Sequence, residues 1–113
     1  MEDPAELLGL LARISRQARE RCGDIVTILR SGAALDPDIA ATLSEGLRRN
    51  RLGVEVIVER IRGTGCRIDA RAADIAVAMM SAEVYDRLVV DAGWSPGDYE
   101  VWLKRTLVTA LLH

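Results

Sequence analysis

Apolar residues recur along this chain mostly three and four positions apart, the spacing that lines one face of a helix, and seldom alternate as in a half-buried strand. The first stripe is Leu7, Leu11, Ile14, Ala18 and Cys22, with Arg13, Arg16, Arg19 and Glu20 pointing elsewhere. Asp3-Pro4-Ala5-Glu6 stands before it as a helix start: Asp3 can accept from free backbone N–H groups, Pro4 suits the first turn, and Glu6 sits at the capping-box position. Gly23 is a point for a bend or break, after which Ile25, Val26, Ile28 and Leu29 resume the pattern. Ser31-Gly32 offers a terminus, since glycine readily takes the left-handed conformation that ends helices.

Asp36-Pro37-Asp38 repeats the start signal, and a second stripe of Ile39, Leu43, Leu47, Val54, Ile57 or Val58, and Ile61 runs to Gly63-Thr64-Gly65. It predicts one long helix with Gly53 as the place for a kink. The β-branched run Val54 to Val58 argues for a strand, but Glu55 and Glu59 fall four apart on a polar face and no hairpin turn precedes them, so helix is preferred.

Asp69 is placed to cap the next segment, in which Ala72, Ala73, Ile75, Ala76, Val77, Ala78, Met79 and Met80 are apolar nearly all round the helix. Such a helix needs cover on more than one side, and in a chain this short the second cover is most readily another subunit. The segment continues through Ser81, a point for a bend, to Gly93. Trp94-Ser95-Pro96-Gly97-Asp98-Tyr99 is the sharpest local signal: Ser95 fits the N-cap, Pro96 the first helical position and Asp98 the capping box, with Trp94 and Tyr99 as a hydrophobic staple. The last helix then shows Tyr99, Trp102 or Leu103, Thr106 or Leu107, Ala110 and Leu111 as one stripe, with Glu100, Lys104 and Arg105 on the wet side.

The pattern thus predicts an all-α helical bundle forming one domain over residues 1–113. Half the residues are apolar and 28% charged, enough to bury a core without disulfides or metals. The net charge of -2 lacks the basic excess that phosphate binding needs, and the one local cluster, Arg48, Arg49 and Arg51, is flanked by Glu45 and Glu55; no nucleic-acid contact is assigned. Cys22 and Cys66 follow no metal-ligand spacing and no signal peptide opens the chain, which reads as reduced thiols in the cytoplasm. The most apolar run, Ala72 to Ala82, contains Asp74 and falls short of the ~20 residues a membrane span takes.

Catalytic constellations are not found. The single histidine, His113, is at the C-terminus, where fraying is expected, and the pairs Asp36 with Asp38 and Asp98 with Glu100 read as helix caps. Gly63-Thr64-Gly65 lacks the further glycine and lysine of phosphate-cradling loops, so no cofactor is implied. Met79 and Met80 could line an apolar ligand pocket, thioethers being adaptable, together with Cys22, Ile25 and Leu29 of the first stripe and Leu43 or Leu47 of the second; the plainer role for all seven is core.

Ala73-Asp74-Ile75, Ser81-Ala82-Glu83-Val84-Tyr85-Asp86-Arg87-Leu88-Val89, Gly93-Trp94-Ser95-Pro96-Gly97-Asp98-Tyr99-Glu100 and Trp102-Leu103 resemble the C-terminal pattern of TetR-family transcriptional regulators. Asp36-Pro37-Asp38-Ile39 and the helix after it are similar, more weakly, to the middle helices of the same regulatory domain. The resemblance implies a helical effector pocket and a homodimer made by the last two helices packed on their symmetry mates as a four-helix bundle. On this chain that interface would take Val77, Val84, Leu88, Trp102, Leu103, Thr106, Leu107 and Ala110. The family's N-terminal helix-turn-helix has no counterpart here, so the expected function is effector sensing and dimerisation without DNA reading, by a fragment or a stand-alone sensor, and not an enzymatic one. The alternative is a helical interaction module that dimerises with or titrates full-length regulators and binds no ligand.

Overall fold

A computed structural model describes residues 3–113, excepting the side chains of residues 22–24, 26 and 27. The chain is all-α. Helix α1 spans Pro4–Ala33, α2 Pro37–Gly63, α3 Ala72–Met79, α4 Ala82–Tyr85, and α5 Pro96–Leu111, with a π-helical turn Asp86–Asp91 continuing α4. No helix among the described residues is long and apolar enough to cross a membrane.

The predicted caps form. Asp3 accepts from the Ala5 N–H at 2.9 Å, Asp36 from Asp38 at 2.8 Å and Ser95 from Asp98 at 3.1 Å, each at a helix with proline in its first turn. Helix α1 runs through Gly23 and α2 through Gly53 without interruption. Gly32 does not take a left-handed conformation; it lies within α1, and the Leu35 and Asp36 N–H groups both bond back to its carbonyl. Its small size serves a close approach instead, since an added Cβ would stand 2.9 Å from Cδ1 of Ile39. The left-handed glycines are Gly65 (φ 84°), after α2, and Gly93 (φ 78°), which turns the chain into α5.

The segment expected as one helix from Asp69 to Gly93 is divided. Asp69 accepts from the Arg71 N–H at 2.8 Å in a turn, and α3 starts at Ala72 without a side-chain cap. Ser81, extended and hydrogen-bonded to the Val84 N–H, ends α3 and starts α4. The C-terminus is tied rather than frayed: Asp69 donates its N–H to the Leu111 carbonyl (2.8 Å), and His113 donates to that of Arg67 (3.1 Å). These flank an isolated antiparallel bridge of Ile68 to Leu112.

The described residues share one core: Leu7, Leu8, Leu11 and Ala12 of α1, Val54, Ile57, Val58 and Ile61 of α2, Ala72, Ala76, Met80 and Tyr85 from the middle, and Tyr99, Leu103, Leu107 and Leu111 of α5. Burying these chains is the main force holding the fold. The rest of the α1–α2 hairpin, residues 16 to 53, adds no described side chain to that core. At 1.5 Å per residue α1 is about 45 Å long, in line with the longest molecular dimension of 46 Å.

Candidate functional site

Helix α5 has two different apolar faces. Tyr99, Leu103, Leu107 and Leu111, four residues apart, expose none of their surface. Leu103 and Leu107, expected at a subunit interface, are therefore corrected to the interior of the protomer, because α1 and α3 pack on that face. Trp102, Thr106 and Ala110 lie on its shoulder, half-buried, as are Val77, Val84 and Leu88. The outward face carries Val101, 64% exposed, with Arg105 and the half-buried Val108 at the following turns.

Two open clefts run along this outward face. One of about 300 Å³ is lined by Trp94, Asp98, Val101, Trp102 and Arg105. The other, about 630 Å³, is lined by Ala5, Glu100, Val101, Lys104, Arg105, Val108 and Thr109. They share Val101 and Arg105 and make one continuous surface. Trp94 does not staple as expected. Its ring meets Trp102 edge to face at 6.2 Å, while Tyr99 turns inward to meet Tyr85 edge to face at 4.9 Å. Sequence reading passed over Val101 and Val108, although their seven-residue spacing around Arg105 was visible as a second stripe.

Beneath α5 lies a polar group that the periodicity did not single out. The buried Ser15 hydroxyl and the Tyr99 phenol share a hydrogen bond of 2.9 Å. The Arg19 Nε is buried beside them without a hydrogen-bond partner among the described residues. Nearer the surface, Arg16 donates to Glu20 at 2.7 Å and to Glu100 at 3.3 Å, joining α1 to α5. Burial pushes the Tyr99 phenol above its ordinary range, against the opposing pull of the Ser15 hydrogen bond and the Arg19 charge. Tyr85 is raised as well, by burial first and then by Glu20 and Asp86. A phenol that holds its proton this firmly is no base for Ser15 near neutral pH, so the pair works as an internal strut. The visible sign was Ser15 standing as the one hydroxyl in the stripe Leu8, Leu11, Ala12.

The residues proposed from sequence for a ligand pocket are dispersed. Met80 is in the core and Met79 packs half-buried against it. Ile25 and Leu47 are exposed and Leu43 is half-buried. The Cys22 side chain lies outside the described residues. Leu29 lines an open cleft of about 570 Å³ between α1 and α2, with Ala41, Thr42, Glu45, Gly46 and Arg49. A closed pocket needs walls on every side, and the core-forming parts of α3 and α5 stand at the other end of the hairpin.

The basic cluster is occupied by carboxylates. Glu45 takes Arg48 at 2.7 Å and Arg49 at 3.1 Å, and Arg51 pairs with Glu55 at 2.9 Å and with Asp74 of α3. The Arg48 hydrogen bond holds the Glu45 carboxyl below its ordinary range. His113 Nε2 stands 3.4 Å from Asp69, far in sequence from the Ser15–Tyr99 pair. Among the described residues no three histidine, cysteine or acidic side chains gather as a metal site. Comparison with protein-family models, with curated proteins and with solved structures found no match to this chain.

Proposed function

We propose that this chain is an effector-sensing and dimerisation domain of a TetR-type transcriptional regulator, pairing with a second copy through the outward face of α5. One observation carries the reading: α5 buries one apolar stripe completely in its own protomer and still presents another, centred on Val101 and flanked by Trp94, Trp102 and Val108. An exposed apolar surface that holds Arg105 between Val101 and Val108 and is flanked by Lys104 and Asp98 is the kind that a partner covers. The residues carrying the family resemblance supply the turns that set this face: Ser81 starts α4, Gly93 reverses the chain and Ser95 caps α5.

A pair of charge substitutions on opposite sides of α5 tests it. Val101→Asp is expected to remain folded and lose the α5 contact, sedimenting below the wild-type mass, whereas Leu107→Asp, which buries an unpaired carboxylate, is expected to lose the fold itself. Sedimentation and circular dichroism read the two outcomes. A Val101→Asp protein with wild-type mass refutes the α5 interface.

A second reading, an interaction module without an effector, is favoured by the open shape of the clefts described and by the dispersal of the expected pocket residues. Thermal melting against a panel of apolar compounds separates the two. A sensor is stabilised by its ligand through mass action, and a module melts unchanged with every compound.

A further inference from the structure

The outward side of α5 carries charge along its centre and apolar side chains on its flanks. At about 100° per residue, Arg105 lies about 200° round the helix from both Leu103 and Leu107, directly opposite the buried row. Asp98, seven residues earlier, points within about 20° of the same direction. Val101 falls to one side of this line and Trp102 to the other, with Trp94 edge to face against Trp102. All five line the cleft of about 300 Å³. Asp98 and Arg105 are both exposed, and among the described residues neither side chain makes a hydrogen bond or ion pair; the bond to the Ser95 cap uses the Asp98 backbone N–H. The two do not reach each other across the ~10.5 Å of helix between them.

We infer that each of these charges is met by the opposite one on a second copy of the chain: α5 packs antiparallel on its symmetry mate, with Asp98 of one protomer against Arg105 of the other, twice. A two-fold axis level with the midpoint of Val101 and Trp102 lies about 5 Å along the helix from each charge, so both pairs form in a single register. Such an axis keeps each flank on its own side. Val101 then meets its own symmetry copy on one side of the charged line, and Trp102 meets its own on the other. Sliding one helix by about two turns in either direction sets Arg105 against Arg105 or Asp98 against Asp98, so the charges select the register as well as attract. The guanidinium that arrives at Asp98 lies beside the Trp94 ring, 36% exposed in the same cleft. A carboxylate next to an aromatic ring suits arginine on both counts.

Resting on the α5 contact proposed above, this pair of charges adds what decides the partner. A helix that brings the opposite charge to both levels is accepted, and one that brings a like charge is refused, because a like charge held between the Val101 and Trp102 flanks is poorly screened by water.

A charge exchange on the full chain tests this, with the dissociation constant read by sedimentation over a dilution series. Asp98→Arg and Arg105→Asp each set like charges against each other at both sites, and each is expected to weaken self-association about a hundredfold. Helical content by circular dichroism should be kept, because the Ser95 cap is bonded through the backbone at position 98. Mixed in equal amounts, the Asp98→Arg and Arg105→Asp chains present opposite charges at both sites and are expected to pair with each other at the wild-type mass. The double variant Asp98→Arg/Arg105→Asp should pair with itself in the same way. Single variants that associate like the wild type overturn the inference, while a Val101→Asp protein of reduced mass beside them still upholds the α5 contact. Single variants that dissociate without recovery in either the mixture or the double variant also overturn it. A wild-type chain that does not self-associate refutes the α5 contact and this pairing together, leaving the face to a different protein.

Discussion

The two ends of the α1–α2 hairpin are built from similar helix and packed very differently. At the end where the chain begins, Leu8, Leu11 and Ala12 face Val54, Val58 and Ile61, and α3 and α5 close over them. Toward the turn at Leu35, Ile25, Ile28 and Leu47 follow the same periodicity and are exposed. Helical spacing therefore specifies a stripe, and only a third layer makes that stripe a core. The difference teaches where this molecule has stability to lose and where it has surface to offer.

The largest expected effect separates the two ends directly. Ile61→Ala removes a completely buried side chain and should cost about 2–5 kcal/mol, while Leu47→Ala in the isolated chain should cost no more than about 0.5 kcal/mol. Urea unfolding measures both. Equal losses would mean that the turn end is as tightly covered as the core end.

Next in size is the strut between α1 and α5. Tyr99→Phe leaves the buried Ser15 hydroxyl without its partner and should cost about 1–3 kcal/mol; adding Ser15→Ala should recover much of that, because both polar groups are then gone. The same tyrosines give an alkaline limit. Their folded values lie above the ordinary 10.0, so the fold binds these protons more tightly than the unfolded chain. The associated stability is complete below about pH 10 and is lost as pH rises through the folded values. Melting of Tyr99→Phe should depend less on pH above about 10 than that of the wild type.

Smaller still is Gly53→Ala, at the boundary between the two ends. An added Cβ meets nothing within 4 Å and α2 is continuous there, so the variant should gain about 0.5–1 kcal/mol from helix propensity. A loss instead would reveal a bend at Gly53 that the folded chain needs. The smallest effect is at Asp69, where the Arg71 N–H and then His113 hold the carboxyl below its ordinary 3.8. A lowered carboxyl stabilises the fold above that value and ceases to as pH falls through its folded value. Thermal melts should show Asp69→Asn diverging least from wild type under the most acidic conditions.

Much of the fold was legible locally. Asp3, Asp36 and Ser95, each followed by proline, announced three helix starts because caps and fixed φ act within a single turn. The candidate surface was less legible. Tyr99, Leu103 and Leu107 and the set Trp102, Thr106 and Ala110 form adjacent rows on one helix, and periodicity alone does not tell which row meets the protomer's own core. The split at Ser81 was visible as a bend, whereas the uncapped start at Ala72 was not, since Asp69 stabilises a turn before the helix.

By itself the sequence determined the all-α class and the capped starts of the two long helices and of the last one, because these follow from interactions among residues a few positions apart. Which apolar rows are buried, that Ser15 meets Tyr99 across 84 positions, and that the apolar core lies at one end of the hairpin were decided by the tertiary structure. The physical reason is that burial belongs to pairs of surfaces: a stripe on one helix is core or interface according to what is laid against it.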